Sequence, residues 1–400
     1  MKLCAFHLMP YPELPDDFNT AHRSVWVDVD SSLFAPHVVA NSYREYIDQL
    51  VYAEQCGFDG VCVNEHHSNG YGLMPSPNLM AAVLASRTSR AAIVVLGNSV
   101  ALYDPPIRVA EEMAMLDVLS GGRLVSGFPC GTAMDTTHAY SANPGTLRAK
   151  HVEAIQLIVK AWTTRESFAF NGRFTQMRNV NIVPRPMQQP HPPIWIPGGG
   201  SVETWDYCAN NDYVYAALSY SGYRMARENV LNYWRRLEVL GKDDNPYRLA
   251  FMQFVGVADT DAEAYRMYKE PAEYFFNRSL HVYPGYTDPP GYISEASVRA
   301  KYQSQVGTVA RASQASRRLT WDEMVEKGNV VIGSPDTVRE TLARAAGDMR
   351  IGQMLVMLHF GNMSNDVALN NIKLFGEKVA PGLRNLFAEY ENKWWPNHAE

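Results

Sequence analysis

Five short stretches of this 400-residue chain carry groups able to bind and transform a small molecule. The first is Glu65-His66-His67. A carboxylate and two imidazoles are metal-ligand types, but neighbours in an extended segment point to opposite faces. One imidazole acting as acid, base or hydrogen-bond donor is the simpler chemistry, and a histidine that only ties loops together has the same signature. In Gly97-Asn98-Ser99 a glycine lets a flat ligand approach the backbone and an amide offers donor and acceptor; a plain turn reads alike. Phe128-Pro129-Cys130-Gly131 holds a thiol with no activating neighbour in sequence, which favours an inert small side chain beside a ligand over a nucleophile. Gly198-Gly199-Gly200-Ser201 runs into a helix pattern, where successive N–H groups bind anions once side chains are out of the way. No Lys-Ser/Thr follows, so it is not a Walker loop, and a glycine-rich turn is the alternative. Arg148 opens a helical segment and could clamp the same anion, or stand as a solvated charge.

These stretches must be positioned by something, and alternation supplies it. Runs rich in β-branched residues at Lys2–Leu8, Gly60–Asn64, Ala92–Leu96, Leu124–Gly127, Ile194–Ile196, Tyr213–Leu218, Leu249–Val257 and Gln353–Leu358 are separated by segments of helical period. Ser42 with Glu45 gives a capping-box start to the first helix and Gly57 a stop; Ser334-Pro335-Asp336 starts the last helix before the eighth run. Eight such units predict an α/β fold, a closed (β/α)8 TIM barrel rather than an open doubly wound sheet, as one domain over 1–400. Four of the five stretches then leave the C-terminal ends of strands, where barrels keep their active sites, and Arg148 lies just beyond the fourth. Three insertions interrupt the rhythm. Pro10–Val39 follows strand one and reads as a lid. Phe168–Pro193 precedes strand five, with a hairpin signal at Asn171-Gly172 and prolines at 184, 186, 190, 192 and 193. Phe276–Thr320 precedes the last βα unit. Tyr11, His22, Trp26, His138, Tyr140 and His281 are candidates to touch a substrate.

Composition excludes several classes. With 42 acidic and 36 basic residues the formal charge is −6, no footprint for nucleic acid or an anionic membrane. No apolar run of roughly eighteen residues occurs, and the start, MKLCAFHLMPYPELPDD, lacks the apolar core of a secretory signal. Cysteines 4, 56, 62, 130 and 208 form no CxxC pair, which suits free thiols in a reducing cytoplasm.

Taken in order, these features resemble one family, the flavin-dependent luciferase-like monooxygenases, the superfamily of bacterial luciferase. The likeness is best from Tyr52 to Asp212. It rests on AEQCGFDGVCVNEHH (53–67), GNSVALYDPPIRVAEEMAMLDVLSGGRL (97–124), SGFPCG (126–131), LRAKHVEAIQLIVKAW (147–162) and PIWIPGGGSVETW (193–205). The resemblance implies a (β/α)8 barrel binding reduced FMN (FMNH2) at its mouth, usually as a homodimer, with flavin delivered by a separate NAD(P)H-dependent flavin reductase. It further implies O2 addition to give a C4a-peroxyflavin that oxygenates an organic, apolar or ring-containing substrate. His66 matches the family's catalytic histidine, expected near the C4a–N5 edge. Glu65, Gly97, Asn98, Cys130 and Gly131 fall beside the flavin ring, with Gly97-Asn98 where the family often holds a non-prolyl cis peptide. Arg148 and Gly198, Gly199, Gly200 and Ser201 match the phosphate site. Tyr11, Trp26, His138 and Tyr140 are then expected on the substrate. The glycine triplet, in place of a more polar phosphate loop, departs from bacterial luciferase, as do the long strand-one loop and the Phe276–Thr320 insertion; the latter two argue against aldehyde luminescence. Three other readings compete: an F420-dependent reductase or dehydrogenase on the same fold, a non-catalytic flavin-binding protein, and a metal-dependent barrel hydrolase, for which the strand ends lack ligands.

Overall fold

The computed structural model describes residues 1–396 other than 219, 293 and 296–317. Short β-branched runs become strands β1 (Lys2–Phe6), β2 (Gly60–Val63), β3 (Ala92–Val95), β4 (Leu124–Gly127), β7 (Ile194–Gly198), β8 (Val214–Ala217), β9 (Leu249–Val257) and β11 (Gln353–Met357). All pair in parallel, and β8–β9, β9–β11 and β11–β1 contacts close the sheet into the expected TIM barrel. Parallel strands are covered on both faces, so their side chains alternate between two cores. Cys4, Phe6, Cys62, Val94, Val125, Trp195 and Met252 fill the barrel interior. Leu3, Ala5, Val61, Val63, Ile93 and Val95 face the surrounding helices.

Those helices are α1 (Pro36–Gln55), α2 (Pro77–Arg87), α3 (Ile107–Leu119), α4 (Pro144–Thr163), α5 (Val202–Asn211), α6 (Tyr223–Val239), α7 (Pro335–Met349) and α8 (Asn365–Leu374). Helix α1 starts two turns before the expected Ser42: Pro36 occupies its first turn, and Ser42 is buried within it. The strand-one loop therefore ends at Ala35 and contains its own turn of helix, Phe18–Ala21. The hairpin around Asn171-Gly172 forms as β5 (Phe168–Asn171) and β6 (Gln176–Val180), antiparallel with a register shift. Glu153 of α4 pins its turn by accepting N–H bonds from Arg173 and Thr175 at 2.6 and 2.8 Å.

Two corrections concern the sheet and the backbone. A ninth parallel strand, β10 (Val330–Gly333), pairs with Phe254–Val257 of β9, beyond the point where β8 ends. A helix, Trp321–Lys327, which Thr320 starts with a capping box, and this strand thus stand between the expected Phe276–Thr320 insertion and the last unit; residues 296–317 of that insertion lie outside the described residues. The cis peptides among the described residues all precede proline, at 105, 184 and 190, so Gly97-Asn98 is trans. Gly97 has another role. A Cβ there would stand 2.7 Å from the backbone nitrogen of Glu65, so the glycine lets the ends of β2 and β3 close on each other.

The opposite end of the barrel is floored by the C-terminal segment. Trp394 donates from its indole to Asp212 O at 2.8 Å and lies under the Arg248 guanidinium; Trp395 lies under Lys2.

Candidate active site

At the mouth, the segment after β2 turns its two histidines onto different carboxylates. His66 Nδ1 lies 2.9 Å from Asp135 Oδ2, while His67 Nε2 lies 3.1 Å from Glu65 Oε1. Asp135 is the keystone. It also accepts the His67 backbone N–H at 2.8 Å and the Thr132 hydroxyl at 2.7 Å. Burial raises the Asp135 carboxyl, but His66 and the N–H and O–H donors outweigh it and hold the group below its usual range. An ionised carboxylate only accepts, so His66 Nδ1 carries the proton and Nε2 faces away from Asp135.

Glu65 is wholly enclosed by its partners. Besides His67 it accepts the Tyr103 O–H at 2.6 Å and the Ser99 N–H at 3.3 Å, and its side chain is 0% exposed. Burial and then the nearby Glu65 charge raise the Tyr103 phenol far above its ordinary value, so it stays a donor. Asn98 is likewise committed, its amide closed on Asn78 by a reciprocal pair at 3.0 and 3.2 Å.

Across the mouth stands the glycine-rich turn. Ser201 caps α5 by accepting the Thr204 N–H. Arg148 reaches from α4 to Ser201 Oγ and Thr204 Oγ1, both at 3.3 Å. Gly200 has φ +103°, open to glycine but strained for other residues, while a Cβ on Gly199 would meet nothing within 4 Å. A guanidinium, two hydroxyls and a helix N-terminus thus converge on one point, a cradle for an anion. Cys130 lies nearby. Its thiol is pushed up by burial, against an opposing pull from Arg148, so it stays protonated and is no nucleophile at neutral pH. Gly131 takes φ +89°, where a Cβ would collide with Thr136 and Ser99. The described start of the 276–320 insertion crosses this end: Tyr292 donates to Gly131 O at 2.6 Å, and the Ser294 hydroxyl bonds Glu203 of α5.

The loop aromatics divide. Trp26 stands edge-on to His66 at 6.0 Å, and Tyr140 lies 4.4 Å from the His67 ring. Tyr11 is built into its own loop, accepting the Ala35 N–H at 3.3 Å and meeting Phe34 edge-on. His138 packs on Tyr286, and His281 bonds His22 O at 2.9 Å. Sequence reasoning missed Asp135, Thr132, Tyr71 and Tyr220. Asp135 sits on a π-helical turn, Met134–Ala139, past the strand end that directed attention to Cys130 and Gly131. The Thr132–Asp135 spacing of three was the one available signal.

Fold and mouth together define a (β/α)8-barrel protein that joins an anion cradle to a carboxylate-held imidazole. The model of the luciferase-like monooxygenases matches residues 23–349, and the chain belongs to that family. It is 33% identical, over 161 residues covering 38% of this chain and 42% of the other, to the oxygenase component of the flavin-dependent trigonelline monooxygenase of Acinetobacter baylyi. It is 30% identical over 209 residues, 49% of this chain and 59% of the other, to an F420-dependent glucose-6-phosphate dehydrogenase of Kineococcus radiotolerans. Among solved structures it superposes, with TM-score 0.71 and 18% identity over 95% of this chain and 98% of the other, on the oxygenating constituent of 3,6-diketocamphane monooxygenase from Pseudomonas putida, in complex with FMN.

Proposed function

We propose that this chain is the oxygenase of a two-component monooxygenase that uses reduced FMN and O2 to oxygenate a small apolar or ring-containing organic substrate. One observation carries the reading: the Arg148–Ser201–Thr204 cluster follows β7 and the Asp135-held His66 follows β2, so both stand at the C-terminal strand ends of one parallel barrel. The residues fit a flavin mononucleotide. Arg148 and the start of α5 offer charge and N–H donors for a phosphate, and Gly199 leaves open space beside them. Asn64, which continues the inward alternation of Cys62 at the end of β2, buries an Oδ1 with no donor, a partner for a ring N–H of the reduced flavin.

On this reading Arg148, Gly198, Gly199, Gly200 and Ser201 hold the phosphate, and Gly97, Asn98, Cys130 and Gly131 border the ring. Glu65 acts one step back, through His67 and the Ser99 N–H. When bound, reduced FMN supplies the electrons that activate O2. The chain's part is to exclude water and to place a proton. Buried Trp26 and Tyr71 shield the mouth. His66 Nε2 gives or takes the proton while ionised Asp135 stabilises the imidazolium. The partial relative's description as an oxygenase component supports a separate NAD(P)H-dependent reductase. Exposed Leu79 of α2 with Met115 and Leu119 of α3 gives neighbouring helices an apolar face suited to a homodimer. The free cysteines suit the cytoplasm.

The test is anaerobic titration with FMNH2, followed by mixing with 18O2 and a substrate panel. One labelled oxygen per product, dependent on FMNH2, is expected. Arg148→Ala should weaken FMNH2 binding about 10–100-fold, the size of a lost charged hydrogen bond. Unlabelled product formed with F420 instead would overturn the proposal in favour of the dehydrogenase reading.

A further inference from the structure

In the outer layer, helices α6 and α7 lie side by side, joined where the Trp234 indole donates to Met349 O at 2.8 Å. Between them is a cavity of about 260 Å³. Buried Ala345 and Met349, with the Tyr223 ring, give it an apolar floor. Its rim is charged: Arg224 and Arg227 come from α6, Arg344 and Asp348 from α7.

Three guanidiniums around one cavity repel one another unless acids answer them, and here the acids do not. Arg227 and Arg344 have no hydrogen-bond or ion-pair partner among the described residues. Glu228, next to Arg227, is committed to Arg235 at 2.8 Å. Asp348, one turn from Arg344, pairs with none of the three arginines. Residues 296–317 include no Asp or Glu, and Glu400 is the one acid outside the described residues, too little to balance the rim even with Asp348. Arg224 is held by neutral groups. It donates to the Tyr223 hydroxyl at 3.1 Å and to Glu326 O at 2.7 Å, which fix its planar fork without cancelling its charge. It also stands in the first turn of α6, the positive end of the helix dipole, where there is neither an acidic residue nor a side-chain cap.

We infer that the cavity between α6 and α7 is a binding site for a small organic phosphate, a doubly charged oxyanion on a compact apolar body. The phosphoryl oxygens accept from Arg224, Arg227 and Arg344, whose donor forks match such an oxyanion, and the body rests on Tyr223, Ala345 and Met349. The volume lies just under the roughly 300–1,000 Å³ of drug-sized ligand pockets, which suits a compact ligand. Arg148 and Ser201 take no part in this site.

Phenyl phosphate is titrated by calorimetry into the full chain at constant ionic strength. Inorganic phosphate, which lacks the body, and benzyl alcohol, which lacks the charge, are the controls. Each titration is run in wild type and in Arg148→Ala, where the cradle is silenced. Phenyl phosphate should bind Arg148→Ala at one site, about tenfold or more tighter than either control. Arg227→Gln and Arg344→Gln, each added to that variant, should weaken it about tenfold or more and leave the melting temperature unchanged, since neither arginine has a partner to lose. No binding to Arg148→Ala, an affinity within about twofold of either control, or binding that survives both substitutions would overturn the inference. Failure of the flavin reading shows elsewhere: Arg148→Ala would leave FMNH2 binding unaltered, whatever Arg227→Gln and Arg344→Gln do.

Discussion

Asp135 does for His66 what no neighbour in sequence does, fixing which ring nitrogen carries the proton. The two residues are 69 positions apart, and only the barrel mouth brings them to 2.9 Å. Proximity in sequence made Glu65-His66-His67 legible as a reactive group, yet it could not reveal that the carboxylate inside the triplet pairs with His67 and not with His66. The side-chain partners of Asn98 were hidden for the same reason. An amide at a strand end reads as ligand-facing until Asn78, on another unit, is found closing it. Asp135→Asn keeps the size and removes the charge, and its amide can donate to Nδ1, moving the proton to Nε2. Product formation in single turnover should fall about 100-fold, within the usual range for acid–base groups, while FMNH2 affinity changes less than about twofold. A parallel loss of flavin binding would show Asp135 to be only a brace for the loop.

At the scale of elements, strands were legible where they were long enough to show β-branched runs, and helices where a proline or a serine stood at their start. The exceptions have physical causes. Ser42 and Glu45 satisfy the pattern of a helix start while lying inside a helix that Pro36 has already begun. Four-residue β10 has no edge of its own to seek; it exists because β9, nine residues long, outruns β8 and offers unpaired backbone. The glycine triplet was legible as a turn, but not which glycine does what. Gly200 bears the strain: its φ is positive, and a Cβ would stand 2.2 Å from the Asn229 amide. Gly199 leaves space. Gly200→Ala should therefore cost about 1–3 kcal/mol of stability, measured by urea unfolding, whereas Gly199→Ala should stay within about 0.5 kcal/mol and act only on FMNH2 affinity. Equal destabilisation by both would place the strain elsewhere in the turn.

For the molecule as a whole, the covering that keeps the barrel dry also buries imidazoles outside the His66–Asp135 pair. Burial lowers His7 to about 4, against a hydrogen bond to Gln49 that pulls it upward, and lowers His151 to about 4 in the same way against a bond to Phe128 O. His359, at 4.8 Å from His7, is depressed further by burial and by that neighbour. A histidine whose folded pKa lies below its unfolded value of about 6.5 favours the fold while neutral. Its contribution is complete above about pH 6.5 and drains as pH falls toward 4, because the unfolded chain takes up the proton first. Each unit of depression corresponds to about 1.4 kcal/mol, so His7 and His151 alone could remove several kcal/mol across that window. Asp135, held low by His66 and by its N–H and O–H donors, loses its contribution as pH falls through the carboxylate range, so it steepens the same decline at its acid end. The melting temperature should stay level above about pH 6.5 and fall steadily from there to pH 4, and His7→Gln should reduce proton uptake on unfolding by up to about one per molecule near pH 5. A melting temperature that held constant from pH 6.5 to 4 would mean that these rings titrate normally, which in turn would require water to reach the interior that the oxygenation chemistry needs closed.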